Sequence, residues 1–493
     1  MAKPLNILTL ATQIAPLIAE GNLGDVIAGL AGGLAINGNN VKVFIPHFKA
    51  FHSDIPGQSL GSPVTVSVNG RDYTSGIIRY VLPNQVEVVA LDNQALYGRD
   101  GIYTDAATGN DYPDNDLRFA VYCRSALEYC RVYDDLPDII HAHDWHAAAA
   151  VLLVRENRDP LFRRTGTVFT FHSIEFPGVF DRQSLQTFGL PDYLFHPDGI
   201  EYYGNISLLK AGIIGADAVA TVSDRFKDEI KSPDYGNGLH GLFASLSDKL
   251  YGINNGVDYS ILNPKEGQDI ECIYHSESLG GKKECKDDLL QAFGLPEPPE
   301  RGPIFAISAE LAPEKGLDLV VPVVSNLIDN GGTLVVLGKG DPGIENNLRA
   351  LSQKHPDRIG VRIERNPDLA RKIESGADFL LMPHRFAPTA DTQIRALRFG
   401  TIPIVHTTGS LDDTVKEYIP KSGRGNGFKF EQATPESLLE SITKGIDTFQ
   451  KPKRWNRIRR NAMSTDFSWE KQASKYVTIY NKILKSIRSK KKY

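Results

Sequence analysis

The chain has 493 residues, 41% of them hydrophobic, with 44 glycines, which is enough for two domains of roughly 200 residues or a little more and too much for one core. Its 60 acidic and 55 basic residues leave a net charge of -5, so no broad field favours nucleic acid or an acidic membrane, and a small or uncharged partner is expected. The four cysteines, Cys123, Cys130, Cys272 and Cys285, form no CxxC and no Cys/His cluster of zinc spacing; they read as reduced thiols of a cytoplasmic protein with no metal and no cofactor.

The first apolar run, NILTLA, is too short for a signal peptide or a membrane span and reads as a buried strand. A helix over 25–37 follows, then VKVFIP, DIIHA, TVFTFH and AVATVS. Short apolar runs alternating with helical periodicity predict βαβ units and a parallel sheet. A second series, PIFAIS, TLVVLG, IGVRI, DFLLMP and IPIVH, begins after Asn263-Pro264. The fold class is therefore α/β with two doubly wound Rossmann-like domains, 1–263 and 264–465, facing a central cleft at the carboxyl ends of their strands. Between the two series lies a polar segment, 264–303, with one helix over 283–293. The end of the chain, 466–493, is predicted to be an amphipathic helix with a solvated basic tail.

Several segments carry candidate chemistry. In the first strand-to-helix turn, Gly21 and Gly24 permit tight backbone geometry, although such turns often serve only to let a strand enter a helix. The run HAHDWHAAAA at 141–150 follows a strand and belongs on the rim of its sheet. A metal site there is one reading, and a metal-dependent hydrolase its consequence, but only His141 and His143 would share a face of a continuing strand. His172 lies just past another strand, where a lone histidine is commonly structural. In FLLMPHRFAPTADTQI, a strand over 378–382 runs into a loop and a helix opening near Thr392, which aims backbone N–H groups at a bound phosphate.

These segments together resemble the bacterial glycogen synthase and plant starch synthase family, glycosyltransferases of the GT-B fold. Further matches are RDGIYTD with Tyr103, DYPDNDLRFA with Asp114, Asn115 and Arg118, YYGNISLLKAG with Lys210, TVS at Thr221 and GINNGVD with Asn255. The resemblance spans nearly the whole chain. It implies transfer of glucose from ADP-glucose to the end of an α-1,4-glucan with retention of configuration. It assigns Tyr103, His143, Asp144 and Trp145 to the glucan and His172 and Lys315 to catalysis. Donor contacts are implied for Gly21, Gly24, Asn255, Thr392, Gln393 and Gly409.

Departures from the family pattern gather on the donor side. Where the family reads SRLxxQKG, this chain keeps Lys315 and Gly316 but has Glu310 for the arginine. Where the family reads EPCGLTQ, the glutamate is Ala387, the cysteine Thr389, the glycine Ala390 and the leucine Asp391. Where it reads KTGGLGDV, the lysine is Ala19, the threonine Glu20 and the second glycine Asn22; Ser410 replaces the second glycine of TGGLxDTV, while the glucan-side motifs are largely kept apart from Gln13, which stands where the family usually has glutamate. An anion in place of a bidentate cation removes charge-assisted bonds of roughly 1.5 to 3 kcal/mol each. Asp391 at a helix start is further expected to occupy the anion site itself. The sequence thus predicts a homologue with weak or lost catalysis, acting on α-1,4-glucan as a binding or regulatory protein with an active synthase as partner. The alternative is an active retaining glucosyltransferase with a rebuilt donor site, using His384 or Arg385. Restoring Ala387→Glu, Glu310→Arg and Asp391→Leu together is expected to raise nucleotide affinity.

Overall fold

The structure, a computed structural model, describes residues 3–52, 54–157, 159–267, 269–296 and 302–489. The chain forms two compact units. The first comprises 1–222, 227–256 and 468–493; the second comprises 223–226 and 257–467. The sequence predicts a boundary near 263 and a last helix set apart, whereas the chain passes to the second unit at 257 and returns to the first at 468.

In the first unit, seven strands run parallel: β1 (Asn6–Leu10), β2 (Asn40–Pro46), β3 (Glu87–Asp92), β4 (Ile139–His143), β5 (Gly166–Phe171), β6 (Ala218–Thr221) and β7 (Leu250–Gly252). Their order is β7-β6-β5-β4-β1-β2-β3, extended beyond β3 by the antiparallel strand Arg71–Val81. β4 and β5 are buried at every residue, as strands covered on both faces must be. The order reverses direction between β1 and β4, so the loops leaving these two strands diverge and open a crevice at their carboxyl ends.

Helix α1 (Leu23–Ile36) follows β1, and helix α2 (Trp145–Asn157) follows β4. In the second unit, helix α3 (Lys282–Phe293) precedes the sheet. This sheet contains β8 (Ile304–Ser308), β9 (Thr333–Leu337), β10 (Ile359–Arg362), β11 (Phe379–Met382), β12 (Ile402–His406) and β13 (Phe428–Phe430). All pairings are parallel, in the order β10-β9-β8-β11-β12-β13. Counted from its own first strand, that order is 3-2-1-4-5-6, which places the switch point between β8 and β11. The segment 223–226 is fixed to this unit by Asp413, whose carboxylate accepts from Ser223 Oγ at 2.7 Å and from the N–H groups of Asp224 and Arg225 at 2.7 and 3.1 Å.

Helix α4 (Thr392–Arg398) follows the loop after β11, and α5 (Pro452–Ser464) closes the second unit. Helix α6 (Trp469–Ser489) then packs in the first unit. It lies on α1 because Gly29 and Gly33 leave room: a Cβ at Gly29 would sit 1.9 Å from Trp469 Nε1, and one at Gly33 would sit 2.5 Å from the Trp469 carbonyl oxygen. The Asn37 amide donates to Glu470 O at 2.8 Å. Lys490, Lys491 and Lys492, half of the expected basic tail, lie outside the described residues, as do 297–301 of the polar segment. Among the described residues no helix is long and apolar enough to cross a membrane.

Candidate functional site

Tyr103, His143, Asp144 and Trp145, which the sequence resemblance assigns to the glucan, meet at the carboxyl ends of β1, β4 and β5. β4 ends at His143, and Asp144 then takes φ of 57°, which turns the chain into α2. Asp144 Oδ1 accepts from the backbone N–H of His172 at 2.8 Å, joining the β4 and β5 loops. His172 Nε2 lies 3.1 Å from His143 Nδ1, with the rings nearly parallel. Trp145 packs edge-on to Phe119 at 4.9 Å and lies over Gly178. That glycine has φ of 59°, and a Cβ there would fall 2.7 Å from the Trp145 side chain, so both the turn and the indole require glycine. Tyr103 OH and His146 Nε2 lie 2.5 and 3.1 Å from Thr12 Oγ1. Gln13 Oε1 accepts from the Glu20 N–H at 2.8 Å and braces the loop that carries Gly21 and Gly24. Asn255 follows β7 in the same unit. Lys210 is more deeply committed, donating to the carbonyl oxygens of Pro197 and Glu201 at 2.6 and 2.5 Å.

Burial sets the electrostatics of this cluster. It pushes His141 and His146 down to about 3 and His143 well below the ordinary value, with neighbouring histidines adding to the effect. Burial raises the Asp144 carboxyl above its usual range and the Tyr103 hydroxyl to about 12. His141 has both ring nitrogens engaged, by Tyr480 OH at 2.8 Å and Thr170 Oγ1 at 2.7 Å, so neither nitrogen is available to a metal. Among the described residues no group of three or more His, Cys, Asp or Glu could hold one.

Neutral buried histidines must take up protons on unfolding once the pH falls below about 6.5. The unfolded chain then binds more protons than the native one, so stability falls with pH between about 6.5 and 3, by about 1.4 kcal/mol per pH unit for each histidine fully titrated in the unfolded chain. Urea unfolding of the first unit is expected to show this loss between pH 7.5 and 5, and a flat profile would mean that these histidines are accessible to protons in the native state.

In the second unit, the loops leaving β8, β11 and β12 pack on one another. Arg385 N–H donates to Glu314 O at 2.8 Å, and a Cβ at Gly316 would fall 2.0 Å from Pro383 O. Gly409, with φ of 45°, comes so close to Ala387 that a Cβ would sit 1.8 Å from its carbonyl oxygen. The Ser410 N–H donates to that same oxygen at 3.0 Å. Gln393 is fully buried, its amide bonded to Ala390 O at 2.8 Å and Thr414 Oγ1 at 3.0 Å. Lys315 is half-buried beside His384, which burial, then Lys315 and His406, hold down to about 3. Glu310 is exposed, 4.0 Å from Arg365.

Three sequence expectations change here. Asp391 does not fill the anion position, because its carboxylate makes no capping bond to the first turn of α4 and lies out toward Arg395 at 4.0 Å. Ala387 is not an open position to which the family glutamate can simply be restored: it is 3% exposed and packs with Met382 and Leu411 in a hydrophobic cluster. His384 and Arg385 are poor substitutes for a lost cation, since His384 is buried and neutral and Arg385 is clamped by both oxygens of Asp318 at 2.7 Å.

Sequence reasoning missed Thr12, Tyr476 and Tyr480, which support the histidine cluster. The two tyrosines stand four residues apart on one face of α6, a spacing that marks a buried stripe but not what it covers.

Two doubly wound α/β units, each with its charged and aromatic residues on loops at the carboxyl ends of parallel strands, have the architecture of a GT-B glycosyltransferase. The pattern of the starch synthase catalytic domain matches residues 6–245, and that of glycosyl transferases group 1 matches 293–462. The chain belongs to the glycogen/starch synthase family. It is 36% identical over 474 residues to the glycogen synthase of Koribacter versatilis, covering 96% of this chain and 97% of that one. With the Thermotoga maritima glycogen synthase it shares 34% over 492 residues, 98% and 100% of the two chains. The solved catalytic domain of starch synthase IV from Arabidopsis thaliana, bound to ADP and acarbose, superposes with a TM-score of 0.84 at 27% identity, covering 98% of this chain and all of that one.

Proposed function

We propose that this glycogen synthase homologue binds α-1,4-glucan and has weak or lost transfer of glucose from ADP-glucose, acting as a glucan-binding or regulatory protein beside an active synthase. The observation that carries the reading is the exposed carboxylate of Glu310 at the switch point of the second sheet, where the family resemblance implies a diphosphate-binding arginine. Lys315 is the family cation retained in that loop, and its neighbour His384 contributes no charge. The first unit, by contrast, holds Asp144, His172 and His143 in one hydrogen-bonded chain and Tyr103 and Trp145 in ring contact beside it, residue types suited to sugar hydroxyls and an apolar sugar face.

Calorimetric titration tests this. Maltooligosaccharide is expected to bind, and ADP-glucose to bind at least about a hundredfold more weakly than an intact diphosphate site would allow. The second reading, an active retaining glucosyltransferase with a rebuilt site, draws support from Asp391, which leaves the first turn of α4 uncapped by side chains. Glucose incorporation from a nucleotide sugar, abolished by Lys315→Ala or His172→Ala, would establish that reading and remove the first.

A further inference from the structure

At the end of the second sheet opposite the donor loops lies a cavity of about 400 Å³, large enough for a small organic ligand. Its lining comes from α3 and the turn before it, from the entry to β11, from the end of the helix Pro435–Phe449 and from α5. Asp378 immediately precedes β11 and accepts from the Ile304 N–H at 2.9 Å, which fixes the cavity at the amino ends of β8 and β11. β11 has four residues, so the loop beginning at Pro383 is about 13 Å away along the strand.

The charge of this cavity is unbalanced. Lys282, Lys283, Lys286 and Arg459 line it together with Asp287 and Asp378, and Asp378 is already committed to Lys286 at 2.6 Å. Lys282 is 4% exposed and donates to Ser375 O, Phe399 O and Thr401 Oγ1 at 2.8, 3.0 and 2.9 Å. All three are neutral oxygens, and among the described residues no carboxylate pairs with it. Burial pushes this ammonium down to about 7. Arg459 donates from Nη2 to Asn456 Oδ1 at 2.6 Å, while its Nε is buried without a partner. Lys283 is exposed and has no ion pair among the described residues. Aromatic walls complete the cavity: Arg459 Cζ lies 5.4 Å from the Trp455 ring and Lys286 Nζ 5.5 Å from the Phe449 ring.

One buried ammonium supported only by neutral oxygens, together with an unused guanidinium N–H and an exposed lysine, forms a surface that a multivalent anion would complete. We infer that this cavity is a binding site for a small phosphate ester, with the phosphate held by Arg459 and Lys283 in the field of Lys282 and the carbon body against Phe449 and Trp455. The site is separate from the donor loops and independent of whether the chain transfers glucose. A phosphate has three equivalent acceptor oxygens for these donors, whereas a monocarboxylate would leave cations unanswered.

The test is calorimetric titration of the full chain with inorganic phosphate and with glucose 6-phosphate. Saturable binding of the ester is expected, tighter than that of inorganic phosphate. Its dissociation constant should rise at least about tenfold in the Lys283→Gln, Arg459→Gln double variant and stay unchanged in Lys315→Ala. The proposal is overturned by absence of saturable binding up to about 10 mM, by an unchanged constant in the double variant, or by loss of binding in Lys315→Ala. Should Arg459→Gln unfold, Lys283→Gln alone, an exposed change that leaves the fold in place, should still raise the constant by a smaller factor, and an unchanged constant there overturns the proposal equally.

Discussion

Glu310→Arg is expected to raise affinity for ADP-glucose by about a hundredfold, the equivalent of one or two charge-assisted bonds to the diphosphate. The side chain is exposed and its contact with Arg365 is long, at 4.0 Å, so the exchange disturbs little of the fold. It replaces a repelling carboxylate with a guanidinium in the loop that carries Lys315, and Glu310→Ala should recover the part due to repulsion alone. Calorimetry of the three proteins separates the two contributions; no gain with arginine would mean that the loop after β8 does not face the diphosphate. Ala387→Glu belongs in a separate variant, because its position is core. A carboxylate placed there without partners is expected to cost about 2 to 4 kcal/mol of stability in the second unit, enough to obscure a gain in binding.

The largest loss of stability is expected from Gly33→Leu. Even a Cβ at this position would stand 2.5 Å from the Trp469 carbonyl oxygen and 3.0 Å from Ala473 Cβ, and both belong to α6. Neither a backbone carbonyl nor a helix-interior alanine can retreat, so α6 must lift from α1. Overpacking of this kind costs about 3 kcal/mol or more, and the thermal midpoint of the first unit should fall by roughly 10 °C. Ile36→Ala, on the same helix but 67% exposed, serves as the control and should shift the midpoint by less than about 2 °C. Equal shifts for the two variants would show that α6 does not depend on this contact. Since Tyr480 on α6 reaches His141, Gly33→Leu should also weaken maltooligosaccharide binding.

Both parallel sheets are legible in the sequence because their strands are short, almost wholly apolar and separated by helical periods, a pattern that burial on both faces imposes. The edge of the first sheet is not. Its hairpin turns at Asn69-Gly70, where both residues take positive φ, and that dipeptide is a hairpin signal in its own right, but the flanking strands alternate with polar residues and offer no continuous apolar run. In the site, residue identity is readable while direction is not. The place of Asp391 before α4 suggests a capping role, yet a capping bond needs an extended backbone at the cap, and Asp391 sits at φ of -112° and ψ of -22°. A missing carboxylate at Ala387 suggests a hole, but the close approach of Gly409 and Ser410 covers it, and that contact joins residues more than twenty positions apart. The small residues of α1 are visible as glycines, and only the packing of Trp469 explains them.

The return of α6 to the first unit also orders events during synthesis. The strands of the first sheet end at Gly252, yet the helix that covers α1 and reaches His141 is complete only at Ser489, about 240 residues later. At 5–20 residues per second, the ribosome needs roughly ten to fifty seconds to supply it. The second unit, closed by residue 467, can therefore finish first, and the nascent first unit waits with the Gly29 and Gly33 groove open, a surface on which a chaperone or a second nascent chain can act before the last helix arrives.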